Sequence, residues 1–139
     1  MSDNIEELLK AAQEAKEKAY APYSNFFVGA AVLSGSGKIY SGCNVENISY
    51  GLTICAERNA IFKMVAAGEQ VIEAIVVTGN TEEILPPCGA CRQVIAEFSR
   101  PDTPVYMCSK KGDRQKATVS QLLPYTLSFH EVLGHERRY

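Results

Sequence analysis

The apolar positions in the first third of the chain predict an amphipathic helix followed by a β-hairpin. Over residues 4–20, hydrophobic side chains recur at steps of three and four, which places them on one face of a helix. Pro22 ends this pattern, because the residue before a proline disfavours helical backbone. The apolar run 26–33, the turn 34–37 and a second run 38–46 then predict two paired strands.

The middle of the chain alternates helical and strand patterns. Residues 55–67 and 88–98 show helical apolar spacing. Residues 71–77 and 104–108 are short apolar runs typical of buried strands. This alternation predicts crossover units, with a parallel core and helices on its faces. The next strand, weakly indicated at 117–119, follows too soon for a parallel crossover, so we expect the last strand pair to be antiparallel.

Composition narrows the classes of function. The 139 residues carry 14 Lys+Arg and 16 Asp+Glu, for a net charge of −2, and their length predicts a single domain over residues 1–139. Without a basic block, no nucleic-acid polymer is an expected partner. No apolar run reaches the roughly 18 residues of a membrane span, and the first residues are acidic, unlike an export signal. We therefore expect a cytoplasmic protein with reduced thiols.

Three of the five cysteines stand at predicted helix starts. Cys88 and Cys91 follow two prolines, and their spacing of three puts both sulfurs on one helix face. Cys55 opens the other predicted helix. Helix N-termini favour the thiolate form, so three thiolates converging there would make a zinc site that keeps one position for water.

Other interpretations of these cysteines remain open. A Cys-x-x-Cys pair at a helix start is also typical of a redox-active dithiol, although that leaves Cys55 and the Glu two residues later unexplained. A structural zinc site needs a fourth protein ligand. Cys43 and Cys108 lack a partner at ligand spacing, and we interpret both as small buried residues. His130 and His135 lie in a polar tail and are interpreted as surface residues.

The spacing of these residues matches the zinc deaminase signature, (His/Cys)-x-Glu followed by Pro-Cys-x-x-Cys. Cys55-Ala-Glu57 supplies the first part, and Pro87-Cys88-Gly-Ala-Cys91 supplies the second. Over nearly its full length the chain resembles the small homotetrameric cytidine deaminases. The resemblance is carried by residues 21–24 (Ala-Pro-Tyr-Ser), 26–30 (Phe-Phe-Val-Gly-Ala), 42–47 (Gly-Cys-Asn-Val-Glu-Asn), 55–58 (Cys-Ala-Glu-Arg), 87–93 (Pro-Cys-Gly-Ala-Cys-Arg-Gln) and 122–124 (Leu-Leu-Pro).

The resemblance implies a fold and a reaction. The fold is α/β, a three-layer α/β/α sandwich around a mixed five-stranded sheet whose last strand pair is antiparallel. One Zn²⁺ per chain is held by Cys55, Cys88 and Cys91. The reaction is hydrolytic deamination of cytidine and 2′-deoxycytidine to uridine and 2′-deoxyuridine plus ammonia, in pyrimidine salvage. The implied assembly is a homotetramer whose active sites are shared between subunits.

It also implies roles for individual residues. Glu57 is the catalytic residue and transfers protons, while Arg58 hydrogen-bonds the ligating cysteines and offsets their charge. Substrate contacts fall to Phe26, Asn44, Glu46, Ala56 and Tyr50. Strand alternation allows only one of two consecutive phenylalanines to face a given site, and the resemblance selects Phe26. Asn44 and Glu46 bind ribose, Tyr50 reaches in from an adjacent chain, and the charge of Glu46 disfavours phosphate.

One departure and two competing functions accompany the resemblance. Where related enzymes often carry a closing Phe, this chain has Leu127, with an aromatic at Phe129 instead. A deaminase acting on another cytosine-bearing nucleoside, of the blasticidin type, would leave Asn44 and Glu46 without ribose to bind. A non-catalytic zinc-binding module would require a fourth protein ligand.

Overall fold

The computed structural model describes residues 4–127 as a five-stranded sheet flanked by helices. Phe129, His130 and His135 lie outside these residues. In chain order the strands are β1 (Val28–Ser34), β2 (Ile39–Cys43), β3 (Ile72–Gly79), β4 (Pro104–Cys108) and β5 (Arg114–Thr118). The helices are α1 (Ile5–Lys16), α2 (Ala56–Ala66), α3 (Gly89–Glu97) and the short α4 (Val119–Leu122), with a 3₁₀ turn at Tyr50–Leu52. No helix of the described part is long and apolar enough to cross a membrane.

The sheet is mixed, with strand order β2-β1-β3-β4-β5. β4 and β5 are antiparallel, as predicted. The predicted parallel core is smaller than expected. Among the five strands of residues 4–127, β3 and β4 are parallel neighbours and the other three neighbouring pairs are antiparallel. The crossover through α2 does return β3 parallel to β2, but β1 lies between them and is antiparallel to both.

Helices cover both faces of the sheet and give three layers. On one face, Leu8, Leu9 and Ala12 of α1 pack on Ala31, Leu33 and Val76 of the sheet. On the other, residues of α2 and α3 pack on the alternate strand positions, which include Val28, Ala30, Val32, Ile75 and Val77. The predicted three-layer α/β fold is confirmed, and the period of two along β1 assigns its side chains to opposite cores.

Two glycines let the helices approach the hairpin closely. A Cβ added at Gly29 would lie 1.9 Å from the carbonyl oxygen of Ala12 in α1. A Cβ added at Gly42 would lie 2.5 Å from the backbone nitrogen of Ala60 in α2. A side chain at Gly29 would push α1 away from the hairpin, and the contact at Gly42 fixes α2 against it.

Helix α1 ends earlier than predicted. The helix stops at Lys16, because the chain then pairs with the residues that follow β2. Tyr20 N–H donates to the carbonyl of Asn44 over 3.0 Å, and Glu46 N–H donates to the carbonyl of Tyr20 over 2.9 Å. Residues 44–46 are therefore not part of β2, and they are held against the loop that leads to Phe26.

Candidate active site

The starts of α2 and α3 bring three thiols together. Cys55 and Cys88 are the N-cap residues of the two helices, and Cys91 lies in the first turn of α3. Their sulfur atoms all lie within 4.8 Å of one another, and the Sγ atoms of Cys55 and Cys88 are 3.8 Å apart. The predicted convergence of the three thiols at two helix N-termini is confirmed.

The surroundings of Cys55 favour its thiolate form. A hydrogen bond from the Cys91 thiol, together with Arg58, lowers the pKa of Cys55. The same shared hydrogen bond and burial raise the pKa of Cys91. Arg58 donates from Nη2 to Cys55 Sγ over 3.4 Å, and its Nε is buried with no hydrogen-bond partner among the described residues. The guanidinium that contacts Cys55 therefore has a further unused donor, which suits a cluster that becomes fully thiolate.

This donor set fits Zn²⁺, which binds thiolates in tetrahedral sites. The group contains three ligands, and across residues 4–127 no fourth His, Cys, Asp or Glu joins it. Cys108 is fully buried, as interpreted from the sequence, whereas Cys43 is only half-buried. Three protein ligands with a further position open are the pattern of catalytic rather than structural zinc.

Glu57 stands beside the thiols in the first turn of α2. Glu57 is only 4% exposed. Burial is the main cause that raises the pKa of the carboxyl to about 7, and the nearby Cys55 adds to it. A carboxyl in this position is a candidate for moving protons to and from a bound molecule.

A cavity of about 270 Å³ opens above this group. The predicted substrate contacts Phe26, Asn44, Glu46 and Ala56 all lie on its wall, together with Glu57 and Cys88. Phe26 precedes β1 and is 39% exposed, whereas Phe27 does not line the cavity. The choice of Phe26 over its neighbour therefore agrees with the geometry.

Asn44 is buried on the cavity wall and ties down the backbone around Phe26. Its Oδ1 accepts from Val28 N–H over 2.9 Å, and its Nδ2 donates to the carbonyl of Phe26 over 2.7 Å. The residue is 6% exposed, so it does not stand at an exposed strand end. An amide oxygen can accept two hydrogen bonds, and Val28 N–H fills one of these positions.

The carboxylate of Glu46 is held by the loop before Phe26. It accepts from the backbone N–H groups of Tyr23 (3.0 Å) and Ser24 (3.2 Å), and from the Ser24 hydroxyl. The hydrogen bond from the Ser24 side chain is the main cause that lowers the pKa of Glu46. Glu46 is therefore an oriented anion at the rim of the cavity.

Tyr50 does not line the cavity that Cys55 and Cys88 line in its own chain. It is 73% exposed and faces a shallow neighbouring depression of about 230 Å³, shared with Tyr23 and Glu46. Its ring packs edge-on against Tyr23, with 5.8 Å between the ring centroids. Leu127 is 70% exposed and does not line the cavity.

Five residues on the wall were not predicted as site residues: Ser24, Val28, Thr53, Leu85 and Pro86. Ser24 belongs to the Ala-Pro-Tyr-Ser stretch, so a signal existed, but the stretch indicates no role for it. Thr53 and Leu85 lie in loops whose path depends on the packing of the helices, and the sequence carries no signal for them.

Comparison with known proteins also indicates a zinc-binding site. Residues 2–108 match the family model described as the cytidine and deoxycytidylate deaminase zinc-binding region. The cytidine deaminase of Sporosarcina psychrophila is 50% identical over 129 residues, covering 93% of this chain and 95% of that protein. That of Halalkalibacterium halodurans is 53% identical over 117 residues, covering 84% and 89%. The crystal structure of cytidine deaminase from Burkholderia pseudomallei superposes with a TM-score of 0.84 at 48% identity, covering 88% of this chain and 98% of that one.

Proposed function

We propose that this chain, which belongs to the cytidine and deoxycytidylate deaminase family, hydrolyses cytidine and 2′-deoxycytidine to the uracil nucleosides and ammonia. The observation that carries the proposal is a group of three neighbouring thiols, two of which line a cavity of about 270 Å³ together with the buried Glu57. The cavity volume suits a single small ligand better than a polymer.

Cys55, Cys88 and Cys91 would hold one Zn²⁺. When bound, zinc supplies a Lewis acid that lowers the pKa of water toward about 7 and so makes a nucleophile available at neutral pH. Arg58 contributes positive charge to the thiolates through its Nη2, and the two helix N-termini add to it. These groups offset the net negative charge of three thiolates around a divalent cation.

Glu57 is the proposed catalytic residue. Its carboxylate would take a proton from the attacking water and deliver it to ring N3. It would then take the proton of the hydroxyl group added at C4 and deliver it to the amino nitrogen, which leaves as ammonia while the C4 carbonyl forms. One carboxyl is sufficient, because it returns to its starting protonation state in each cycle. Positioned proton transfer of this kind contributes about 10²–10⁴ in rate.

The remaining wall residues would bind the nucleoside. The Phe26 ring stacks on the pyrimidine, Ala56 borders the base, and Asn44 and Glu46 receive the ribose. About four acceptor positions exist on a carboxylate, and three of those on Glu46 are already filled, so it can take one sugar hydroxyl. A single hydroxyl contact is compatible with both ribose and deoxyribose, and the fixed negative charge disfavours nucleotide phosphates.

We extend the proposal to a single-domain homotetramer that works in cytoplasmic pyrimidine salvage, with Tyr50 reaching the active site of a neighbouring subunit. Ile48, Tyr50 and Leu52 are 82%, 73% and 63% exposed, respectively, within one short segment. An apolar patch of this kind is typical of a protein–protein interface. Light scattering coupled to size-exclusion chromatography tests the assembly.

The reaction itself is tested by mixing zinc-loaded protein with cytidine and following ultraviolet absorbance and released ammonia. We expect a steady change to the uridine spectrum with one ammonia per cytidine. An unchanged spectrum with folded, zinc-loaded protein would contradict the proposal. It would then favour another cytosine-bearing nucleoside or a non-catalytic zinc site.

A further inference from the structure

We propose that Ser24 is a positioning residue for nucleoside binding, whose hydroxyl fixes the Glu46 carboxylate and the backbone of Phe26 relative to each other. The inference rests on the proposed function, because it takes Glu46 and Phe26 as the groups that receive ribose and base. Ser24 itself lies at the cavity wall and acts through these two neighbours.

The hydroxyl of Ser24 both donates and accepts a hydrogen bond. It donates to Oε2 of Glu46 and accepts from the backbone N–H of Phe26 over 3.0 Å. A serine hydroxyl has one donor and two acceptor positions, so a single oxygen links the two proposed substrate contacts. Residues 24 and 46 are 22 positions apart in the chain, so the link also joins two separate segments.

The loop around this hydroxyl is shaped to hold it. Asn25 has φ of 57°, a left-handed conformation that asparagine adopts more readily than most residues. The turn is fixed on both sides, since Asn25 N–H donates to the carbonyl of Ala21 and Asn80 Nδ2 donates to the carbonyl of Asn25, each over 3.0 Å. A loop held in an uncommon conformation beside a cavity is typical of a binding site.

Removal of the hydroxyl would leave Glu46 with only its two backbone donors, both on Oε1. Oε2 would then be free to bind water and to lose its orientation toward the ligand. The loss of a hydrogen bond to a charged group is expected to raise KM by about 5–20-fold. Within residues 4–127 no hydrogen bond joins Ser24 to the thiols or to Glu57, so kcat and zinc content should change little.

The test uses Ser24→Ala, Ser24→Thr and the matched control Ser36→Ala in the full-length zinc-loaded protein. Ser36 makes the same type of contact far from the cavity, since its hydroxyl donates to Oε2 of Glu69 over 2.8 Å and its N–H to Oε1 over 3.3 Å. Steady-state kinetics with cytidine give KM and kcat, and calorimetry gives the Kd of uridine without turnover. We expect Ser24→Ala to raise KM and Kd together, Ser24→Thr to restore them, and Ser36→Ala to change neither.

A double-mutant cycle with Glu46→Gln decides whether Ser24 acts through Glu46. We expect Ser24→Ala to have little further effect on the uridine Kd in the Glu46→Gln background. An equal effect in both backgrounds, or a Ser24→Ala variant that behaves like Ser36→Ala, would overturn the inference while the proposed function stands. A Glu46→Gln variant with unchanged uridine affinity would overturn both the inference and the proposed role of Glu46.

Discussion

Arg58 reaches back along the first turn of α2 and donates a hydrogen bond from Nη2 to the Sγ of Cys55, over 3.4 Å. The two residues are three positions apart, the spacing at which side chains of one helix face meet. The helix that presents a proposed metal ligand therefore also carries the cation that offsets its charge.

The first prediction concerns this pair. Arg58→Gln should keep the fold but weaken zinc binding by about 10–100-fold, the usual effect of losing a group that hydrogen-bonds a metal ligand. Arg58→Lys should fall between, because lysine keeps the charge and loses the forked donor geometry. Competition with a chromogenic chelator measures the zinc affinity. Wild-type affinity in Arg58→Gln would show that Arg58 does not support the thiolates.

A second prediction concerns the packing of α1 on the hairpin. Gly29→Ala places a Cβ 1.9 Å from the Ala12 carbonyl oxygen, a backbone atom that cannot move without shifting the helix. We expect a loss of about 1–3 kcal/mol or more in the free energy of unfolding, measured by urea denaturation. Lys10→Ala is the control, since Lys10 lies on the exposed side of α1. Equal stability of the two variants would contradict the packing argument.

A third prediction concerns Glu69, which joins the turn of the β1–β2 hairpin to the segment after α2. Its Oε2 accepts from Ser34 (2.9 Å), Ser36 (2.8 Å) and Tyr40 (2.9 Å), and hydrogen bonding by Ser36 is the main cause that lowers the pKa of Glu69. A lowered folded-state pKa stabilises the protein above the unfolded value of about 4.3, and that stability is lost as the pH falls through the folded value.

Glu69→Gln should accordingly lower Tm at pH 7, and the difference from wild type should shrink as the pH falls below about 4. Thermal unfolding followed by circular dichroism over this pH range checks the prediction. A difference in Tm that does not vary with pH would show that the ionised carboxylate is not the stabilising form.

The sequence predicted the meeting of the three thiols better than the order of the strands. Cys55, Glu57, Cys88 and Cys91 could be predicted as candidates, because each lies at a helix start that local spacing and prolines identify. The order of the strands was harder to predict, since the position of β1 between β2 and β3 depends on contacts between distant segments.

The same limit applies to the rim of the cavity. The contact of Ser24 with Glu46 exists because residues after α1 pair with residues after β2, through the bridge between Tyr20 and Val45. Nothing in the local pattern of residues 17–27 indicates that pairing, and helical spacing extended the predicted helix to Tyr20. Long-range backbone pairing overrode local preference there, and it also moved Asn44 and Glu46 off the predicted strand.

The most direct test of the central claim is the turnover of cytidine by Glu57→Gln, measured with its zinc content. Glutamine keeps the size of the side chain and removes its ability to exchange protons. We expect one zinc per chain, an unchanged Tm or a slightly raised one, and a rate at least about 100-fold below wild type. Near-normal turnover by zinc-loaded Glu57→Gln would contradict the assignment of Glu57 as the group that moves protons in this enzyme.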